Sequence, residues 1–188
     1  MENHSLSQRE NLLKMIVEYA YQEGNFTLSS GQKSNFYLNC KQVTLRGEGA
    51  LLLGQLIYQM LSPEVAGVAG LTLGADPMVT AVSVVSAYEN NPIPALIVRK
   101  EAKGHGTMAY IEGVSLPREA QVVVLEDVVT TGKSAMLAVE RLRGAGLTVN
   151  KIIALVDRQA GGSEFYQSQG LQFESLFTLE EIKSFHVS

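Results

Sequence analysis

A single cysteine, Cys40, stands in a chain of 188 residues. It can neither close an internal disulfide nor build a multi-cysteine zinc site, which removes stapled secreted scaffolds and zinc ribbons from consideration. No uninterrupted apolar run approaches the ~20 residues that cross a bilayer. Basic residues are not in excess: 15 Lys and Arg face 19 Asp and Glu, for a formal net charge of −4 and a pI near 5.4. A nucleic-acid or anionic-membrane surface is therefore not expected, and any phosphate recognition has to be local. The opening MENHSLSQRE lacks the basic and apolar regions of a signal peptide, so a cytoplasmic location is the expectation. Internal repeats, low-complexity tracts and linkers are also missing.

What is present is apolar material, 46% of the residues, enough for one domain with a substantial core. Ser7 and Glu10 have the spacing of a capping box, and Leu12, Leu13, Ile16, Val17 and Ala20 recur at helical intervals before Gly24. Two short extended segments, 26–28 and 36–38, flank a Ser/Gly turn, and 49–61 reads as a helix. The runs 65–71, 95–98, 122–125 and 152–156 are continuously apolar, as strands buried on both faces of a parallel sheet should be. Helices are expected at 77–87, behind a proline, and at 133–143, ahead of Gly144 and Gly146. Leu171, Phe173 and Phe177 alternate like an edge strand, and a last short helix covers 179–185. Alternating strands and helices imply an α/β architecture with ligands beyond the carboxyl ends of the strands.

Three segments at those ends carry chemistry. In VVVLEDVVTTGKS a strand precedes two carboxylates, a Thr/Gly/Ser turn and a helix. Such a turn aims backbone N–H groups and hydroxyls at an anion while the helix N-terminus adds positive potential. Thr130, Thr131, Gly132, Lys133 and Ser134 form that cradle. Glu126 and Asp127 would repel a phosphate but suit sugar hydroxyls or a magnesium shell. The alternative is an ordinary Thr-capped helix. The P-loop and dinucleotide fingerprints are both absent. In RKEAKGHG, three cations and a histidine lie within seven positions, with Gly104 and Gly106 as hinges, which fits either a mobile lid over a polyanion or a solvated basic loop. In ALVDRQAGG, Arg158 can hold a planar carboxylate by two parallel hydrogen bonds, or else pair with Asp157.

The first segment resembles the signature of the type I phosphoribosyltransferases, and RKEAKGHG is similar to the catalytic loop of the orotate-using branch of that family. The resemblance implies a mainly parallel central sheet flanked by helices, with a small hood formed by N-terminal segments. One domain spans 1–188, with 1–45 as hood and N-terminal helix and 46–188 as core. It implies that 5-phosphoribosyl pyrophosphate (PRPP) is bound by Glu126, Asp127, Val128, Val129, Thr130, Thr131, Gly132, Lys133 and Ser134. Arg99, Lys100, Lys103 and His105 are implied to hold its diphosphate, with Arg99, Lys103 and His105 catalytic. Part of that loop would reach a neighbouring subunit, which implies a homodimer. Orotate falls to Thr130 and Arg158, with Phe36 and Tyr37 stacking or packing beside it. Magnesium is the implied cofactor, bound mainly through PRPP rather than by direct protein ligands. The products would be orotidine 5′-monophosphate and pyrophosphate, in pyrimidine synthesis. Transfer to a purine base and a purely regulatory PRPP-fold module are the competing readings; the intact cationic loop argues against the second.

Two departures stand out. Many relatives carry Lys where this chain has Ser29 and, in TLGADP, Gly74. Lys33, or the backbone of residues 73–75, is expected to compensate. Asp76 is expected to cap the helix that Pro77 opens, or to act beside magnesium pyrophosphate.

Overall fold

The structure is a computed structural model and describes residues 7–27, 31, 33–103 and 110–187. Helix α1, Gln8–Met15, starts at Ser7, whose hydroxyl accepts from the Glu10 N–H while the Glu10 carboxylate accepts from the Ser7 N–H. It runs into a π-helical turn, Ile16–Ala20, and ends there rather than at Gly24. Strands β1, Tyr21–Thr27, and β2, Lys33–Leu38, pair antiparallel as a separate two-stranded ribbon. Two helices follow, the single turn α2, Lys41–Thr44, and α3, Gly47–Gln59.

The remainder builds a six-stranded sheet. In chain order come β3 (Gly67–Leu71), α4 (Asp76–Tyr88), β4 (Ala95–Val98), β5 (Ile111–Gly113), β6 (Gln121–Val129), α5 (Lys133–Gly144), β7 (Thr148–Asp157), α6 (Gly162–Ser168), β8 (Gln172–Thr178) and α7 (Leu179–Val187). Spatial order is β5-β4-β3-β6-β7-β8, all parallel except the β4/β5 pair. The expected parallel architecture is therefore observed, with β8 as its edge strand.

Alternation along each strand sends its side chains to two cores. Val68, Val123, Leu125, Ile153 and Leu155 pack with Leu12, Ile16, Leu53, Ile57, Met78, Val82 and Ile182 on one face. Ala69, Val122, Val124, Ile152 and Ala154 pack with Ala138, Val139, Leu142 and Tyr166 on the other. That double burial is why these strands read as unbroken apolar runs. From β3 the chain proceeds outward to β4 and then returns to β3's other side as β6. The reversal places a crevice beyond the carboxyl ends of β3 and β6, where an open sheet of this kind binds ligands.

Candidate functional site

Strand β6 does not stop at Leu125, as the apolar run alone suggested. It continues through Glu126 and Asp127 to Val129, because the neighbouring β7 supplies partners as far as Asp157. The two acids are thus strand residues, and their carboxyl groups remain within hydrogen-bonding reach of each other. Glu126 is buried, and its Oε2 has no hydrogen-bond partner. Burial and, next to it, the Asp127 charge push its pKa up to about 8, while the Lys100 cation acts in the opposite direction. Asp127 has further partners: its Oδ1 accepts from the Val128 N–H at 2.9 Å, and its Oδ2 lies 3.5 Å from Lys41 Nζ.

Beyond β6 the chain turns at residues 130–132 into α5. The cap of α5 is Gly132, at φ +84°, with no side-chain cap. The Thr-capped alternative is thereby excluded, and the first N–H groups of a 12-residue helix face the crevice. Glycine is required at this position twice over: the backbone is left-handed, and a Cβ would lie 2.8 Å from the Tyr166 ring. Glu126, Val128, Val129, Thr130, Thr131, Gly132, Lys133, Ser134 and Tyr166 line a cavity of about 80 Å³, on the scale of a phosphate group rather than a whole nucleotide. The Tyr166 hydroxyl is buried without a partner. Burial, reinforced by the charges of Glu126 and Asp157, raises its pKa, so it remains a protonated donor.

Arg158 is brought beside Thr130 by its backbone: the Arg158 N–H donates to Val129 O at 2.9 Å. Its guanidinium lies over the Phe36 ring, 4.7 Å from the centroid, and burial lowers its pKa. Asp157 Oδ1 instead accepts from the Gln159 N–H at 2.8 Å, so no Asp157–Arg158 ion pair forms. Phe36 and Tyr37 do not share a role. They alternate on β2, so Phe36 turns inward onto Tyr21 and Arg158 while Tyr37, 42% exposed, packs on Phe26.

The cationic segment leaves the end of β4. Arg99 does not point at the acids: its guanidinium pairs with Glu112 on β5 at 3.1 Å, because the antiparallel β5 brings that carboxylate alongside. Lys100 lies near enough to stabilise the Glu126 carboxylate, and Lys103 is exposed. His105 and the hinge glycines Gly104 and Gly106 lie outside the described residues, as does Ser29. Arg141 of α5 grips the stem, donating to Arg99 O and, at 2.8 Å, to Lys100 O while stacking over Tyr110.

In the loop after β3, the helix cap is Ala75, and Asp76 is already inside α4. Asp76 does not cap the helix: its Oδ2 accepts from the Thr72 hydroxyl at 2.8 Å, and its Oδ1 is buried without a partner. Among the described residues no three His, Cys, Asp or Glu side chains group as a metal site. Asp127 and the unpartnered Asp76 Oδ1 are oxygen donors of the kind magnesium takes.

No protein-family model matches the chain. The orotate phosphoribosyltransferase of Nostoc sp. is 64% identical over 175 residues, covering 93% of this chain and 85% of its own length. That of Thermosynechococcus vestitus is 52% identical over 185 residues, covering 98% of each. The chain belongs to the orotate phosphoribosyltransferase family. Among solved structures, the Mycobacterium tuberculosis orotate phosphoribosyltransferase in complex with PRPP superposes with a TM-score of 0.78 at 31% identity, over 94% of this chain and 99% of that one.

Seen as a member of the orotate phosphoribosyltransferase family, the protein has two site residues that sequence motifs did not reveal. Lys41 comes from a four-residue helix with no pattern of its own, and Tyr166 reads as a core aromatic in an unremarked segment. Lys33 does not take the place of the missing lysines, because its ammonium bonds Thr27 Oγ1 within the ribbon at 3.0 Å.

Proposed function

We propose that the protein transfers the 5-phosphoribosyl group of PRPP to orotate, giving orotidine 5′-monophosphate and pyrophosphate in pyrimidine synthesis. The observation that carries this reading is the cradle. An uncapped helix N-terminus and a protonated tyrosine surround a phosphate-sized cavity, with two carboxylates at the adjoining strand end.

Breaking the bond from the anomeric carbon to the diphosphate leaves positive charge on the ribose and negative charge on the departing group. Residues 130–134 hold the 5′-phosphate and so fix the ribose, which converts the encounter with the base into a positioned reaction. Glu126 and Asp127 accept from the ribose hydroxyls, and the Asp127 carboxylate lies where the positive charge develops. Arg158 receives the orotate carboxylate beside Thr130, with Phe36 behind the guanidinium. A carboxylate there also offsets the cost of the partly buried cation. Orotate's ring nitrogen reacts as an anion, so the protein supplies no base. Arg99, Lys100, Lys103 and His105 neutralise the leaving diphosphate, with part of the loop reaching the neighbouring copy; to do so Arg99 exchanges its Glu112 partner, and Lys100 its place near Glu126, for the diphosphate. Magnesium would be held mainly by PRPP, with Asp127 and Asp76 as carboxylates able to assist, and would supply charge neutralisation to the leaving group.

A homodimer follows from that loop sharing. Its seat is the apolar groove between α3 and α4, about 620 Å³, where Leu45, Leu51, Leu73 and Val84 are exposed. Leu73 belongs to the same loop as Gly74 and lies just before Asp76, so a second copy seated there stands beside the crevice. A cytoplasmic location suits this reaction, and no helix among the described residues is long and apolar enough to cross a membrane.

The test is magnesium-dependent loss of orotate absorbance on adding PRPP, with adenine, hypoxanthine and uracil in parallel. Consumption of orotate alone is expected. Consumption of a purine would move the assignment to a purine transferase, and PRPP binding without turnover of any base would favour a regulatory module.

A further inference from the structure

Lys41 opens α2, outside every motif singled out in the sequence, yet its ammonium stands 3.5 Å from Asp127 Oδ2. Asp127 is held from two other directions. Its Oδ1 takes the Val128 N–H at 2.9 Å, and Gly74 presses so close that a Cβ there would lie 2.6 Å from the carboxylate carbon. A backbone donor, a cation and a wall of backbone therefore surround one carboxylate. At this length and exposure an ion pair adds little to stability, so its effect falls on orientation. The clamp also explains how the chain manages with Gly74: while Asp127 keeps this rotamer, no side chain, lysine included, has room at position 74.

We propose that Lys41 is a positioning residue for PRPP, holding the Asp127 carboxylate in the orientation that accepts the ribose hydroxyls. The inference rests on the assignment of Asp127 to the ribose. It adds a link between the two ends of the substrate pair. Lys41 lies only two residues beyond β2's partner segment, where Asn39 N–H donates to Ala20 O at 2.9 Å, and β2 also carries Phe36 beneath Arg158. One stretch of the hood thus sets both the cation beside the sugar acid and the ring behind the base-binding guanidinium.

The experiment is a double-mutant cycle of Lys41→Met with Asp127→Asn, with Lys41→Arg as the conservative variant. The readouts are dissociation constants for PRPP, inorganic phosphate and orotate, alongside Tm. Lys41→Met is expected to weaken PRPP about tenfold, the scale of coupling between contacting groups. Phosphate affinity, orotate affinity and Tm should remain near wild type, and Lys41→Arg should recover most of the loss. In the Asp127→Asn background the same change should cost less than about twofold. Unchanged PRPP affinity in Lys41→Met overturns the proposal. So does a full tenfold cost without Asp127, which would make Lys41 a direct ligand, and so does an equal loss of phosphate and PRPP with a lowered Tm, which marks a structural role. Failure of the wild-type protein to consume orotate would instead strike the proposed reaction, and the PRPP and phosphate constants would still judge Lys41.

Discussion

Glu126 and Asp127 are chemically near-identical neighbours on one strand, yet they live in different solvents. Glu126 points into the closed side of the sheet, under α5 and Tyr166, where burial favours its protonated form. Asp127 points to the open side, where Gly74, the Val128 N–H and Lys41 hold it ready. The difference teaches that a strand can deliver two acids to one ligand in two roles without any change of residue type. The two carboxyl groups remain coupled, and the deeper burial of Glu126 is what favours a proton there.

The largest test of that contrast falls on the closed side. Gly132→Ala forces a left-handed alanine against the Tyr166 ring. Strain and overpacking together should cost about 2–4 kcal/mol of stability. Calorimetry should register that loss, together with at least a tenfold weakening of phosphate binding, while orotate alone binds as before. An alanine accommodated without either loss would mean that the closed side is looser than the geometry implies.

Next is the proton on Glu126. Its folded pKa, about 8, lies above its unfolded value, so between about pH 4.5 and 8 the folded state binds more protons than the unfolded one. Stability of the unliganded protein should therefore fall as pH rises through that window, by at most about 1.4 kcal/mol per pH unit, and level off above it. Glu126→Gln should flatten the slope. Asp127→Asn should flatten it only in part, because burial is the larger cause of the shift and the Asp127 charge the smaller; a slope abolished by Asp127→Asn would reverse the comparison.

The smallest effect is expected on the open side, in the α3/α4 groove. Leu51→Glu places a charge on an exposed leucine in the proposed seat of the second copy and should weaken dimerisation about tenfold, or ~1.4 kcal/mol. Sedimentation across a concentration series reads this directly. A wild-type monomer at all concentrations would remove the shared loop from the mechanism.

The sequence made the sheet, its parallel strands and the cradle legible, because buried strands and the Thr/Gly/Ser turn leave local marks. Where α1 and β6 end was less legible. The π-helical turn and the last four residues of β6 depend on neighbours that only the folded chain supplies. Short elements such as α2 and β5 are below the length at which periodicity speaks. Lys41 was invisible for a related reason: its partner lies 86 residues away, and only the hood's return over the sheet brings them together. The charged run that holds Arg99 gave no sign of its partner Glu112, which the pairing of β4 with β5 brings alongside. Asp76 had the look of a cap, yet the chain had already entered the helix one residue earlier.

Arg141 has a consequence for how such a protein can change over generations. A single side chain holds Arg99 O and Lys100 O at one foot of the loop and covers Tyr110 at the other. With both feet fastened to α5, substitutions at the stem are met by that helix rather than by the sheet. One helix thus anchors two parts of the site, the phosphate turn at its start and the stem of the cationic loop near its end.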